Sequence, residues 1–101
     1  MRCVTVLYPN SPGARFDFDY YMSTHMALVD RLYGKSIARI DVRRGLATPD
    51  GKPPAYIAVV ALWIASQEAF EAASRQHGAT VAADVQNFSS VPPVLQVDES
   101  L

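Results

Sequence analysis

Residues 16–34, FDFDYYMSTHMALVDRLYG, place a single histidine within an otherwise apolar helical pattern. His25 follows Tyr21 by four positions and precedes Leu28 by three, which puts all three on one face of an α-helix. Histidine changes charge near neutral pH and therefore serves readily as a general acid or base. Tyr21, one turn earlier, can donate a hydrogen bond to a substrate or to a developing oxyanion. The spacing therefore makes His25 a candidate for proton transfer, with Tyr21 as a candidate hydrogen-bond donor beside it.

A second interpretation of His25 is equally open. In it, His25 is a core residue hydrogen-bonded to a backbone carbonyl or to Asp84, and Tyr21 only packs. In the catalytic interpretation the same carboxylate orients the imidazole by accepting from its other ring nitrogen. A Ser–His–Asp triad is rejected because Ser23 precedes His25 by two positions, so their side chains diverge on a helix.

The helix that carries His25 has clear signals at both ends. Asp17 is a suitable N-cap, and Gly34 follows the last apolar residue as a C-terminal glycine would. Its inward face is expected to consist of two stripes, the first of Tyr21, His25, Leu28 and Leu32, and the second of Phe18, Met22, Val29 and Tyr33.

The remaining segments predict the elements that must position this helix. Four segments read as β-strands: residues 2–8, 36–44, 55–65 and 94–98. A second helix is predicted over residues 67–77, with Ser66 as its N-cap and Gly78 as its stop, and residues 80–87 as a further helical turn or two. The order strand, helix, strand, strand, helix, strand predicts one ferredoxin-like α+β domain over residues 1–101. Such a domain has a four-stranded antiparallel sheet with two helices on one face.

The third strand segment, AYIAVVALWIA at residues 55–65, is apolar at every position and suggests burial on both faces. Because two helices cover only one face of a ferredoxin-like sheet, the other face needs a partner. We therefore expect a homodimer formed through the sheet faces. The same segment is too short to span a membrane.

Composition excludes several classes of function. The 101 residues carry a net charge of −1 and are 19% charged, which argues against nucleic-acid binding. The single cysteine, Cys3, excludes an internal disulfide and a cysteine-based zinc cluster. No histidines and carboxylates have metal-ligand spacing, so no metal site is expected. No signal peptide is recognised at the N-terminus, and we expect a cytoplasmic protein.

Three motifs occur in the order typical of the EthD family: LYPN at residues 7–10, YYMSTHMAL at 20–28 and ADVQNF at 83–88. The chain resembles that family over nearly its whole length, with Ala27 in place of the usual proline. The resemblance implies a dimeric α+β barrel with a pocket between helices and sheet in each subunit. The wider superfamily includes cofactor-free monooxygenases, lactone isomerases, aldoxime dehydratases and haem degraders, so the fold does not fix the reaction. The resemblance also implies haem ligation by His25 as an alternative, which no further sequence feature supports.

Two functional hypotheses follow. The first is an enzyme of oxidoreductase or isomerase type that needs no cofactor and acts on a small apolar carbonyl, lactone or phenolic compound. Its proposed site residues are His25, Tyr21 and Asp84 for catalysis, with Tyr8, Trp63 and Phe88 lining the pocket. The second hypothesis is a non-catalytic small-molecule-binding or accessory protein of a catabolic pathway.

Overall fold

The computed structural model describes all residues, Met1–Leu101, and contains one four-stranded sheet. The strands are β1 (Arg2–Pro9), β2 (Ile37–Arg44), β3 (Tyr56–Ile64) and β4 (Val94–Glu99). They lie in the order β2-β3-β1-β4, and every neighbouring pair is antiparallel. Two helices pack on one face, so the predicted α+β ferredoxin-like architecture is confirmed, with strand ends within one residue of those expected.

The core lies between the helices and the two central strands. Val6 of β1 pairs with Val60 of β3 on one side and with Leu95 of β4 on the other. Because side chains alternate along a strand, this register sends one set of residues to the helices and the next set to the opposite face. The buried core cluster consists of Val4, Val6, Tyr8, Tyr21, Ala58, Val60, Ile64 and Phe88.

The first helix occupies residues 18–33 and is not uniform. It consists of an α-helical turn (Phe18–Tyr20), a π-helical segment (Tyr21–His25) and a second α-helical segment (Met26–Tyr33). Both predicted ends are confirmed, because the Asp17 side chain accepts from the backbone N–H of Tyr20 at 3.0 Å and Gly34 has φ 52°.

The π-helical segment changes which residues face inward. A π turn contains an additional residue, so the residues that follow it are rotated relative to a regular α-helix. Met22, expected on an inward stripe, is 53% exposed instead. The next methionine, Met26, is half-buried and packs against the core. The predicted stripe was therefore wrong at Met22, although His25 and Val29 are buried as expected.

The second helix runs over Gln67–Asp84 and is followed by a 3₁₀ turn (Val85–Asn87). Ser66 is its N-cap, accepting from the N–H of Ala69 at 3.2 Å, as predicted. The prediction that Gly78 stops the helix was wrong. Glycine within a helix costs only about 1 kcal/mol relative to alanine, and half-buried residues such as Phe70 and Val81 lie on both sides of it. Packing of this face outweighs the local preference of one glycine.

Backbone contacts join the beginning of the first helix to the segment before β4. Phe16 forms an isolated antiparallel bridge with Ser89. The N–H of Asp17 donates to the carbonyl of Phe88 at 2.7 Å. These contacts hold residues 84–88 beside the first turns of the first helix, where the candidate site is formed.

The sheet face opposite the helices is uncovered within this chain. β3 alternates buried Ala58, Val60 and Ile64 with half-buried residues on the outer face, namely Ile57, Val59, Ala61 and Trp63. Burial of β3 on both faces, as its composition suggested, is therefore not reached in a single chain. No helix of this structure combines the length and the apolar character needed to cross a membrane.

Two glycines provide a matched test of the helix assignments. An ideal Cβ at Gly78 or at Gly34 would meet no atom within 4 Å, but only Gly34 has a positive φ. Gly78→Ala should raise the free energy of unfolding by about 0.5–1 kcal/mol because alanine loses less entropy in a helix. Gly34→Ala should lower it by about 1 kcal/mol through backbone strain. Urea unfolding of both variants measures these changes, and destabilisation by Gly78→Ala would contradict the continuous helix.

Candidate functional site

A cleft of about 640 Å³ lies between the two helices and the sheet. This volume is within the range of small-molecule sites. Its walls are mostly apolar, and its lining residues include no Lys, Arg, Asp or Glu. The polar side chains among them are Tyr8, Tyr21, His25, Tyr33, Ser74 and Gln96. The cleft therefore suits an uncharged, largely apolar ligand.

His25 lies at one end of this cleft with its two ring nitrogens in different surroundings. The residue is 4% exposed, and its Nδ1 is 2.9 Å from Oδ2 of Asp84. Its other nitrogen, Nε2, has no hydrogen-bond partner in the protein. Every fully buried polar side-chain atom of the chain has such a partner, so Nε2 is not fully buried. Nε2 is therefore accessible, and His25 is one of the residues that line the cleft.

The Asp84 carboxylate joins three side chains. Its Oδ1 accepts from the Tyr20 hydroxyl at 2.6 Å and from Nδ2 of Asn87 at 3.0 Å, while Oδ2 contacts His25. Burial alone would raise the pKa of Asp84, but the hydrogen bonds from Tyr20, His25 and Asn87 outweigh it and lower the pKa. Asp84 is therefore an anion at neutral pH, and the His25 tautomer that it favours carries its proton on Nδ1.

The π-helical segment explains how two residues of one helix reach the same carboxylate. In a regular α-helix, residues five apart such as Tyr20 and His25 would point in directions roughly 140° apart. The i→i+5 hydrogen bonding of a π turn brings such residues closer to one side. Tyr20 was not among the predicted site residues, because an α-helical period points its side chain away from His25. The available signal was the pair of adjacent tyrosines before the histidine.

Aromatic rings enclose the imidazole on the core side. The Tyr21 ring stacks on His25 with centroids 5.2 Å apart, and Phe88 lies 4.6 Å from the imidazole. Tyr8 packs edge-on against both Tyr21 and Phe88. Burial raises the pKa of Tyr8 to about 12, and burial together with the neighbouring Tyr8 raises that of Tyr21. Both hydroxyls therefore keep their protons at neutral pH.

The structure brings five of the six predicted site residues together and separates the sixth. Tyr8, Tyr21 and His25 line the cleft. Asp84 contacts Nδ1 of His25, and the Phe88 ring packs against the imidazole. Trp63 instead lies on the outer face of the sheet, where its Nε1 donates to Oδ2 of Asp41 at 3.1 Å. It does not line the cleft, because its position in β3 has the opposite parity to that of Val60.

A metal ion or haem would have to be held by side chains of this site. No three His, Cys, Asp or Glu side chains form a group that could hold a metal ion. For haem, Nε2 of His25 would be the only nitrogen ligand, and the cleft has no Lys or Arg to pair with the two propionates.

Comparison with known proteins gives a consistent family assignment. Residues 14–92 match the model of the EthD domain. An EthD-like protein from Ralstonia eutropha JMP134 has 41% identity and a TM-score of 0.89, covering 97% of this chain and 89% of that one.

Two more distant structures share the fold. An ethyl tert-butyl ether d (EthD) family protein from Bacillus halodurans C-125 has 21% identity and a TM-score of 0.76, covering 100% and 99% of the two chains. HapK from Hahella chejuensis has 22% identity and a TM-score of 0.61, covering 100% and 93%. The comparison with curated proteins gave no match.

The charge on Asp84 makes a specific prediction for pH. Because its folded pKa is lowered, ionised Asp84 stabilises the fold above its unfolded pKa of about 4, and this contribution is lost as pH falls through the folded value. Asp84→Asn should cost about 1–3 kcal/mol of unfolding free energy at pH 7, and the difference from wild type should shrink below about pH 4.

Urea unfolding over a series of pH values measures this difference. Asp30→Asn serves as the control, because Asp30 is exposed and its side chain makes no hydrogen bond. A gap between wild type and Asp84→Asn that does not change with pH would contradict the assigned role of the Asp84 charge.

Proposed function

The chain belongs to the EthD family, and on that basis we propose that it is an enzyme that works without a cofactor. Its substrate would be a small apolar carbonyl, lactone or phenolic compound held in the cleft. The reaction would be of isomerase or oxidoreductase type, beginning with removal of a proton from the substrate. His25 would be the proton-transfer group, Tyr21 a hydrogen-bond donor to the substrate and Asp84 the residue that orients His25.

The observation that carries this proposal is the asymmetry of the His25 ring. Asp84 binds Nδ1, so the lone pair of Nε2 is available to the apolar cleft. A base in this position can take a proton from a substrate carbon or hydroxyl while the anionic Asp84 stabilises the imidazolium that forms. In an uncharged, mostly apolar cleft this interaction is stronger than it would be in water.

Tyr21 supports the same chemistry from the adjacent turn. Its hydroxyl keeps its proton because burial raises its pKa, and the residue lines the cleft next to His25. When a proton leaves the carbon beside a carbonyl, negative charge develops on the carbonyl oxygen. A hydroxyl donor close to that oxygen lowers the barrier by stabilising the charge.

The two reaction types differ in what happens to the resulting carbanion. In an isomerisation, His25 returns the same proton to a different carbon, so no other reactant is needed. In an oxidation, dioxygen would have to accept the electrons of the carbanion. Both begin with the proton transfer to Nε2, and that first step is the one to test.

Proton exchange measures this step without knowledge of the natural substrate. β-Tetralone is an apolar ketone with acidic protons next to its carbonyl, and their exchange in deuterated water can be followed by proton NMR. The wild-type protein should accelerate exchange, and His25→Ala should reduce that acceleration by about 100-fold or more, as expected for loss of a general base. His25→Gln provides a second variant, since glutamine can retain a hydrogen bond to Asp84. Undiminished exchange in both variants would rule out His25 as the base.

A second candidate function is non-catalytic binding of a small molecule, in an accessory role. The observation in its favour is that His25 is packed between Tyr21 and Phe88 and satisfied by Asp84, as a structural core histidine would be. In that case His25→Ala would lower the free energy of unfolding by about 1–3 kcal/mol without any effect on proton exchange.

We also propose that two copies associate through the outer faces of their sheets. The supporting observation is the row of half-buried apolar residues on β3, which no element of the same chain covers. Ala61 lies at the middle of this face, opposite Thr5 of β1 and Asp41 of β2. A homodimer would remove this face from water and give β3 burial on both sides.

Sedimentation of a charged variant tests the interface. The wild-type protein should sediment as a dimer at micromolar concentration. Ala61→Glu should shift it to the monomer, because the new carboxylate would be desolvated beside Asp41. Ala72→Glu on the exposed side of the second helix is the control and should remain dimeric. A wild-type protein that is monomeric at this concentration would contradict the proposal.

A further inference from the structure

The cleft has a second polar end, formed by Tyr33 of the first helix and Ser74 of the second. The Tyr33 hydroxyl and Ser74 Oγ are 3.2 Å apart, and both residues line the cleft. The Tyr33 ring packs on the half-buried Phe70, with centroids 5.0 Å apart, and this contact positions the hydroxyl. Neither the motifs nor the proton-transfer site makes use of this pair.

The two polar ends lie at opposite ends of the interhelical contact. The helices run antiparallel, so His25 meets Asp84 at one end and Tyr33 meets Ser74 at the other. Tyr33 follows His25 by eight positions, which corresponds to about 12 Å along the helix axis. Between the two ends the cleft wall consists of apolar side chains and one glycine, including Met26, Val29, Gly78 and Val81.

The Tyr33–Ser74 pair has unused hydrogen-bonding capacity. Each hydroxyl has one proton and can also accept, but a single hydrogen bond joins the two groups. One O–H proton therefore has no acceptor in the protein and is available to a ligand. Since no charged side chain lines the cleft, the group recognised there is an uncharged hydroxyl or carbonyl and not a carboxylate or an amine.

We propose that Tyr33 and Ser74 form a distal binding site for a second, uncharged polar group of the ligand. The ligand class is thereby narrowed to elongated apolar molecules with a carbonyl near His25 and a hydroxyl or carbonyl roughly 10 Å away. This proposal rests on the proposed function, because it takes the His25 end as the reacting end. Gly78 has no side chain, so the cleft is wider at this point of its wall and has room for the rigid body of such a molecule.

A pair of ketones that differ by one hydroxyl tests the distal site. 4-Phenylcyclohexanone and 4-(4-hydroxyphenyl)cyclohexanone share the same carbonyl, and the added hydroxyl lies at the opposite end of the elongated molecule. Isothermal titration calorimetry should show that wild-type protein binds the hydroxylated ketone about 2–10-fold more tightly, the value of one neutral hydrogen bond. Tyr33→Phe keeps the packing on Phe70 and should abolish this preference. Tyr56→Phe removes a hydroxyl outside the cleft and should preserve it.

Three results would overturn the distal site. They are equal binding of both ketones by wild type, a preference retained in both Tyr33→Phe and Ser74→Ala, or loss of thermal stability in these variants with the preference unchanged. His25→Gln separates the two proposals. If His25→Gln weakens the binding of both ketones equally and the wild-type protein prefers neither ketone, only the distal site is refuted. If His25→Gln changes the binding of neither ketone and leaves proton exchange undiminished, the proposed function is refuted too.

Discussion

The contact between Asp84 and His25 is the interaction on which the candidate site depends. Asp84 is the last residue of the second helix, and His25 ends the π turn of the first, so their 2.9 Å contact joins the two helices at one end of the cleft. The same carboxylate also accepts from Tyr20 and Asn87. With these donors the anion is stabilised despite partial burial. One imidazole nitrogen is held by Asp84, and the other has no hydrogen-bond partner in the protein.

The π turn is the local feature that makes this contact possible, and it has a cost. A π-helical segment is rare, and such segments occur frequently at functional sites. Here Met22 is exposed instead of facing the core, and the Tyr20 hydroxyl donates to Asp84. The bridge between Phe16 and Ser89 fixes the approach of the two chain segments, so Asp84 and Phe88 meet the π turn in one arrangement.

Much of the fold followed from local sequence signals, whereas parts of the site did not. Asp17, Ser66 and Gly34 marked helix ends through hydrogen bonding and backbone conformation that depend only on near neighbours. Gly78 was wrongly predicted to end the second helix, because packing along a long helix outweighs the conformational preference of one glycine. Tyr20 was missed because its role requires a change of helical period, and Trp63 was assigned to the cleft because an apolar run without alternation does not reveal which face a residue occupies. The Tyr33–Ser74 pair joins two helices distant in sequence, so only the structure revealed it.

The central claim is that Asp84 holds His25 as the tautomer with its proton on Nδ1, leaving Nε2 as a base in the cleft. Nitrogen-15 NMR of imidazole-labelled protein tests this directly, and a His77→Gln variant assigns the signals because the chain has only two histidines. For neutral His25 the account predicts a protonated Nδ1 and an unprotonated Nε2, with this preference lost in Asp84→Ala. A neutral His25 protonated on Nε2 in the wild-type protein would contradict it.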